Sequence, residues 1–241
     1  MIYQTRGIVF SQVKYSESSL IVKIYTELFG LQTYMVRGVR KNKSKIKFGY
    51  FQPLSLVELI AYHKENASIK TLKEIKISYT FSDLPFNVLK STIALFLSEI
   101  LSKSIKEEEV NQGLFDFIEN SIKFLDITDE KISDFHLLFM AQLTKFLGFF
   151  PHGIFSDEKK CFNLREGVFQ SNIPDHPYFS DVDVSKNIHL MCSSCYEELS
   201  NFQASNVLRK KTLQKLIEYY SLHLPSIKEI NAHKILEEIF S

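Results

Sequence analysis

Six cations crowd one stretch of the chain, Arg37 to Lys47, which reads RGVRKNKSKIK. They are Arg37, Arg40, Lys41, Lys43, Lys45 and Lys47, and no acidic residue lies among them. The chemistry open to such a run is attraction of a phosphate backbone, an affinity that falls as salt rises. Taken alone, a charge run of this kind also fits a solvated turn. Arg6, Lys14 and Lys23 bring the first 50 residues to nine cations, against Glu17 and Glu27. Tyr15, Tyr25, Tyr34, Phe48, Tyr50 and Phe51 are interleaved with them. Cations that track phosphates, beside aromatics that stack on bases, hold a single strand without reading its sequence. A small β-barrel needs most of those rings for its core, so about two of the six are expected to face solvent.

The cysteines offer a second chemistry. Cys192-Ser193-Ser194-Cys195 has the spacing that lets two thiolates grip one tetrahedral zinc ion. Cys161 lies 31 residues before Cys192. A four-thiolate site would want a cysteine at position 158, where Glu158 stands. Cys161, Cys192 and Cys195 could still be joined by His189, His152 or Asp157. The alternative is a decayed site in which packing alone holds the local hairpin. A redox role for Cys192 and Cys195 has less support, because no thioredoxin-like βαβ pattern surrounds them. Zinc is thus the one cofactor the sequence raises, and Glu158 weighs against it.

Catalytic motifs are missing. The chain has no phosphate-binding Gly-x-x-x-x-Gly-Lys-Ser/Thr loop, no Gly-x-Gly-x-x-Gly, no Gly-x-Ser-x-Gly elbow and no His-Glu-x-x-His. The seven histidines are scattered, and the Glu107–Glu109 run fits a solvated helix end. No enzyme is expected.

Composition is that of an ordinary globular protein, with 45% hydrophobic and 24% charged residues. The net charge of +1 hides an asymmetry. Residues 1–80 hold 13 Lys/Arg and 5 Asp/Glu, and residues 81–241 hold 16 and 23. A basic part suits a polyanion, while an acidic part suits protein partners or solubility. Three cysteines make no disulfide framework, and no run approaches the ~18 apolar residues of a membrane helix. A cytoplasmic protein without membrane contact is expected.

Residues 1–80 read as strands. Leu20, Val22 and Ile24 alternate with Ile21, Lys23 and Tyr25, and similar runs cover Tyr3–Phe10, Leu31–Arg37, Pro53–Tyr62 and Ile69–Ile77. Five short antiparallel strands fit a closed barrel of the oligonucleotide-binding (OB) type, and an SH3-like barrel fits the count nearly as well. The basic stretch then falls between the third and fourth strands. At Ser82-Asp83-Leu84-Pro85 the pattern changes to helical stripes over Val88–Ser104, Leu114–Leu125 and Ser133–Leu147, read as a bundle. Pro151, Gly153, Gly167, Pro174 and Pro177 punctuate an irregular stretch, with a small hairpin at Phe162–Phe169. Helix returns over Val207–Tyr220, with Arg209, Lys210, Lys211 and Lys215, and over Ile227–Phe240. The expected class is α+β: an OB barrel over residues 1–81, then a helical domain over 82–241 with an irregular, degenerate zinc-finger-like insertion at about 150–200.

Several of these residues together carry a resemblance. Arg6-Gly7-Ile8-Val9, then Tyr15, Glu17 and Ser18, Tyr25-Thr26, Gly30, Arg37-Gly38-Val39-Arg40, Ser44, Pro53 and the Leu56–Leu59 strand resemble the bacterial RecO family of DNA repair proteins. The likeness runs on through the helices and the Cys-x-x-Cys region. It implies an OB-fold, no ATPase, and binding of single- and double-stranded DNA with annealing of complementary strands. It also implies work with RecR to place RecA on strands coated by single-strand binding protein, in the RecF pathway. By position, the family's DNA-contacting loop corresponds to Arg37, Arg40, Lys41, Lys43 and Lys45. Contact with the acidic tail of single-strand binding protein would need an apolar pocket rimmed by cations in the helical domain, and the Arg209–Lys215 helix is one place for it. A protein-interaction scaffold and an RNA-binding OB module are the alternatives.

Overall fold

Five strands close on themselves in the first part of the molecule. They are β1 (Ile2–Lys14), β2 (Leu20–Thr26), β3 (Gly30–Val36), β4 (Leu56–Tyr62) and β5 (Lys70–Ile77), in the order β1-β2-β3-β5-β4. The structure, a computed structural model, describes residues 2–39, 46–62, 67–106, 108–129, 131–202, 204–227 and 230–239. Closure leaves no sheet edge open. The long β1 makes it possible: Ile2 to Ile8 pair with β4, and Gly7 to Lys14 pair with β2. A bulge between Val9 and Ser11 bends the strand just after it changes partner. A short parallel pairing, Tyr34 with Lys70 and Met35 with Thr71, joins β3 to β5. This is the OB arrangement, and the SH3-like alternative falls away.

The alternation of Leu20, Val22 and Ile24 turns all three inward, where they meet Val9, Tyr34, Val36, Val57, Leu59 and Leu72 in one buried cluster. Gly7 lies where β1 crosses this core. A Cβ there would sit 2.6 Å from Ile24 Cγ2 and 2.9 Å from Leu59 Cδ2, so no larger residue fits without displacement.

Two helices belong with the barrel. The helix α1 (Val88–Ser104) starts where the Asn87 side chain accepts from the N–H groups of Leu89 and Lys90. It buries Ile93, Phe96, Leu97, Ile100 and Leu101, and its Ser98 hydroxyl donates to the Phe10 carbonyl at the β1 bulge. The helix α2 (Gln112–Ile127) follows and buries Leu114, Phe115, Ile118, Ile122 and Leu125. The first compact unit therefore runs to Ile127, although the change from strand to helix comes near residue 82.

The second unit, Thr128–Ser241, is built from α3 (Phe135–Leu147), α4 (Val182–Ser193), α5 (Asn206–His223), α6 (Ala232–Ile239) and a small sheet. The sheet has the order β7-β6-β8, with β6 (Cys161–Asn163), β7 (Val168–Gln170) and β8 (Phe179–Ser180). Two expectations are corrected here. The first three helices do not form one bundle, because α3 groups with α4 and α5: Gln142 Nε2 donates to the carbonyls of Met191, Cys192 and Ser194, and Tyr220 donates to the Met140 carbonyl. The stretch after residue 150 is not irregular throughout, since it contains a three-stranded sheet and the whole of α4. The hairpin turn uses Gly167 at φ +66°, and the Tyr219 hydroxyl occupies the space its Cβ would need.

Candidate nucleic-acid interface

The pleat sorts the barrel's outer face into rows. Lys23 on β2 lies between Ser11 on β1 and Thr33 on β3, and Ile21 lies between Val13 and Met35. Val13 and Tyr15 are each 63% exposed. Arg37, four residues beyond Thr33, stands exposed just past the end of β3, about 13 Å along from the Lys23 row. Apolar side chains flanked by cations thus form a wall on which bases can rest and phosphates can pair.

The basic segment is rooted on the same barrel. The Val39 N–H donates to the Ser18 carbonyl at 3.0 Å, which ties the segment's start to the β1–β2 turn carrying Tyr15. Val39 and Phe51 are buried in the barrel core, and Ile46 and Tyr50 pack against it. A short 3-10 turn, Phe48–Phe51, carries the chain on toward β4. Arg40, Lys41, Lys43 and Lys45, four of the expected contacts, lie outside the described residues.

Among the described residues, Lys14, Lys23, Arg37 and Lys47 are exposed and form no ion pair. Other barrel cations are engaged: Lys76 with Glu58 at 2.7 Å, and buried Lys70 with Gln32 and, at 4.0 Å, with Glu108. Arg6, expected among the DNA-contacting cations, belongs with these. Its guanidinium lies 2.7 Å from Glu27 and 2.7 Å from Glu119, with Asp116 at 3.9 Å and the Phe115 ring beneath it at 5.0 Å. Its hydrogen bond to Glu27 raises its pKa further, and Arg6 in turn lowers that of Glu27. Three carboxylates around one cation leave the local charge negative, and Arg6 anchors α2 to the barrel.

Of the six interleaved aromatics, Tyr15 and Phe48 face solvent, which matches the number expected. Tyr25, Tyr34 and Phe51 are in the core, and Tyr50 is half-buried.

The thiols do not fit a zinc centre. Burial pushes the Cys192 thiol up to about 12 and also raises Cys161. Cys195, exposed, is raised by its hydrogen bond to Glu197. The donors that could have completed a site are turned to other work. Asp157 lies 3.6 Å from Lys160, and the His189 ring packs on Phe155 and Phe169. Among the described residues no three His, Cys, Asp or Glu side chains gather to hold a metal. Cys192 lies in the last turn of α4 and Cys195 caps the next turn, so the Cys-x-x-Cys is a helix exit.

The Arg209–Lys215 helix is also less open than its charges suggested. Arg209 is buried against Asp134 at 3.0 Å, and Lys215 pairs with Glu218 at 2.7 Å. Neither partner was legible nearby in the sequence in the case of Arg6 and Arg209, since Glu119 and Asp134 lie 113 and 75 residues away.

Residues 1–81 match the family described as Recombination protein O N terminal, and residues 85–164 that described as Recombination protein O C terminal. The chain belongs to the RecO family. Over 240 residues it is 39% identical to the DNA repair protein RecO of Flavobacterium psychrophilum, with 99% of both chains covered. Similarity also extends to the DNA repair protein RecO of Azobacteroides pseudotrichonymphae, 34% identical with both chains fully covered, and to that of Porphyromonas gingivalis, 28% identical at the same coverage. RecO membership places the chain in DNA repair and recombination, and its closed barrel is the family's N-terminal OB domain. No helix among the described residues is long and apolar enough to cross a membrane.

Proposed function

We propose that this RecO-family chain binds single- and double-stranded DNA through the outer face of its barrel and the 37–47 segment. It anneals complementary strands and, with RecR, helps place RecA on strands coated by single-strand binding protein. One observation carries the DNA-binding reading: Lys14, Lys23, Arg37 and Lys47 stand exposed without carboxylate partners among the described residues, while Arg6, Lys70 and Lys76 on the same barrel are paired. Unneutralised cations gain most from a polyanion, because each contact releases condensed counterions. A surface that holds phosphates while leaving base edges free lets a second strand pair with the first. Annealing is downhill and needs no nucleotide hydrolysis, in keeping with the missing phosphate-binding motif. Contacts with RecR and with the acidic tail of single-strand binding protein fall to the helical part.

The test is a variant in which Arg37, Arg40, Lys41 and Lys43 become Ala. At about 50 mM salt its affinity for single-stranded DNA is expected to fall at least tenfold, and the slope of log K against log salt to flatten by about 0.7 per lost contact. Unchanged binding would show that the segment is not the contact. Annealing of strands precoated with single-strand binding protein separates a mediator from a generic OB module, and the wild-type chain is expected to accelerate it.

A further inference from the structure

The first unit carries a groove of about 690 Å³ next to the basic segment. Its walls come from Gly49 and Gln52 around the 3-10 turn, from Tyr79 and Phe81 beyond β5, and from Thr92 and Leu95 on α1. Among the described residues no charged side chain lines it. The Tyr79 and Phe81 rings meet edge to face at 5.6 Å, and the Tyr79 hydroxyl is held by Asp126 at 3.1 Å. Gln52 is exposed and Thr92 half-buried, and neither side chain has a hydrogen-bond partner among the described residues.

We infer that this groove receives unpaired nucleobases of a single strand whose phosphates are held by exposed barrel cations such as Lys47, an inference that rests on the DNA-binding reading above. The described walls, being uncharged, offer nothing to a phosphate or a carboxylate. They suit a planar, neutral heteroaromatic ring with donor and acceptor edges: aromatic and apolar side chains for packing, an amide and a hydroxyl for its edges. Lys47 lies where the backbone of such a strand would run. Lys47 caps the turn whose Gly49 lines the groove, and exposed Phe48 stands between them in the chain. An uncharged cleft beside an exposed cation divides its labour as a nucleotide does, with charge outside and ring inside.

The test compares two strands with the same phosphates, an oligo(dT) of about 20 nucleotides and an abasic strand of equal length, bound to the full-length protein. The wild type is expected to bind oligo(dT) about tenfold or more tightly than the abasic strand, the worth of one or two stacked bases. Two variants probe the groove. Gly49→Leu adds bulk to its wall, where a Cβ meets nothing within 4 Å. Phe81→Leu keeps an apolar wall and removes the ring. Each is expected to bring the ratio to within about twofold while abasic binding and its salt slope stay as in the wild type. Equal, salt-dependent binding of both strands by the wild type overturns the groove assignment alone, as does a ratio that neither variant moves. Failure to bind either strand overturns the DNA-binding reading and the groove with it.

Discussion

Leu54 stands where a glycine is the usual residue. The Ser55 N–H donates to the Gln52 carbonyl at 3.1 Å, Pro53 takes the second position of the turn, and Leu54 takes the third at φ +61°. A type II turn of this kind demands positive φ at that position. For a residue with a Cβ the left-handed conformation costs about 1–2 kcal/mol. Complete burial of the Leu54 side chain in the first unit offsets it, at about 1.5–3 kcal/mol. The two effects separate on mutation. Leu54→Ala keeps the strain and loses the burial, so it is expected to destabilise the protein by about 2–4 kcal/mol. Leu54→Gly loses the same contacts but relieves the strain, and is expected to be more stable than Leu54→Ala by about 1 kcal/mol. That order reverses the usual penalty for glycine over alanine. Urea titrations of the two variants check it through their midpoints at constant slope, and a glycine variant weaker than the alanine one would contradict the turn.

The connection from the barrel to α1 is held by a single carboxylate near the end of α2. Asp126 accepts from the N–H groups of Ser82, Asp83 and Leu84 at 2.8–3.1 Å, from the Ser82 hydroxyl and from the Tyr79 hydroxyl. Lys90 adds a bond to the Asp126 carbonyl at 2.8 Å. Burial pushes the Asp126 carboxyl up, but the donors from Ser82, Leu84 and Asp83 outweigh it and hold the group at about 2. Because the folded value lies below the unfolded one, its contribution is complete above about pH 4 and is lost as pH falls toward about 2. Asp126→Asn is expected to cost about 2 kcal/mol at neutral pH, with the gap to wild type closing near pH 2 in denaturant titrations. None of this was visible in sequence, where Asp126 is one acid among many and its partners lie some 40 residues away. What was legible followed from local periodicity: β2 and α1 have the extents their patterns predict, because each buries one regular face. The α4 helix was missed because polar residues surround its apolar stripe of Val184, Ile188 and Met191. Its Asp181 cap and i, i+4, i+7 spacing were the signals available. The basic segment was legible as a charge run, whereas the neutral groove beside it arises from residues distant in sequence and could be seen only in the fold.

At the scale of the molecule, charge and acid response both divide along the two units. Residues 1–127 carry 17 Lys/Arg and 13 Asp/Glu, and residues 128–241 carry 12 and 15. The acids of α1, α2 and their connection lower the excess of the barrel, yet a residue such as Glu119 spends its charge on Arg6. The positive field is left to cations such as Lys14, Lys23, Arg37 and Lys47, which no carboxylate faces among the described residues and which are proposed to meet DNA. Acid stability divides in a different way. In the second unit His136 is 1% exposed, and burial, with Arg209 as the lesser cause, pushes its pKa down to about 3. The unfolded chain takes up this proton near pH 6.5 and the folded chain refuses it, so the second unit loses stability as pH falls from about 6.5 toward 3. The first unit's Asp126 network keeps its contribution until about pH 4. Hydrogen exchange between pH 7 and 4.5, corrected for intrinsic rates, is therefore expected to show protection declining first in α3 and α5 while the amides of β1 to β5 hold. His136→Leu is expected to flatten the pH dependence of the second unit and leave that of the barrel unchanged. Loss of protection in both units at the same pH, or an unchanged slope in the variant, would refute the assignment to His136.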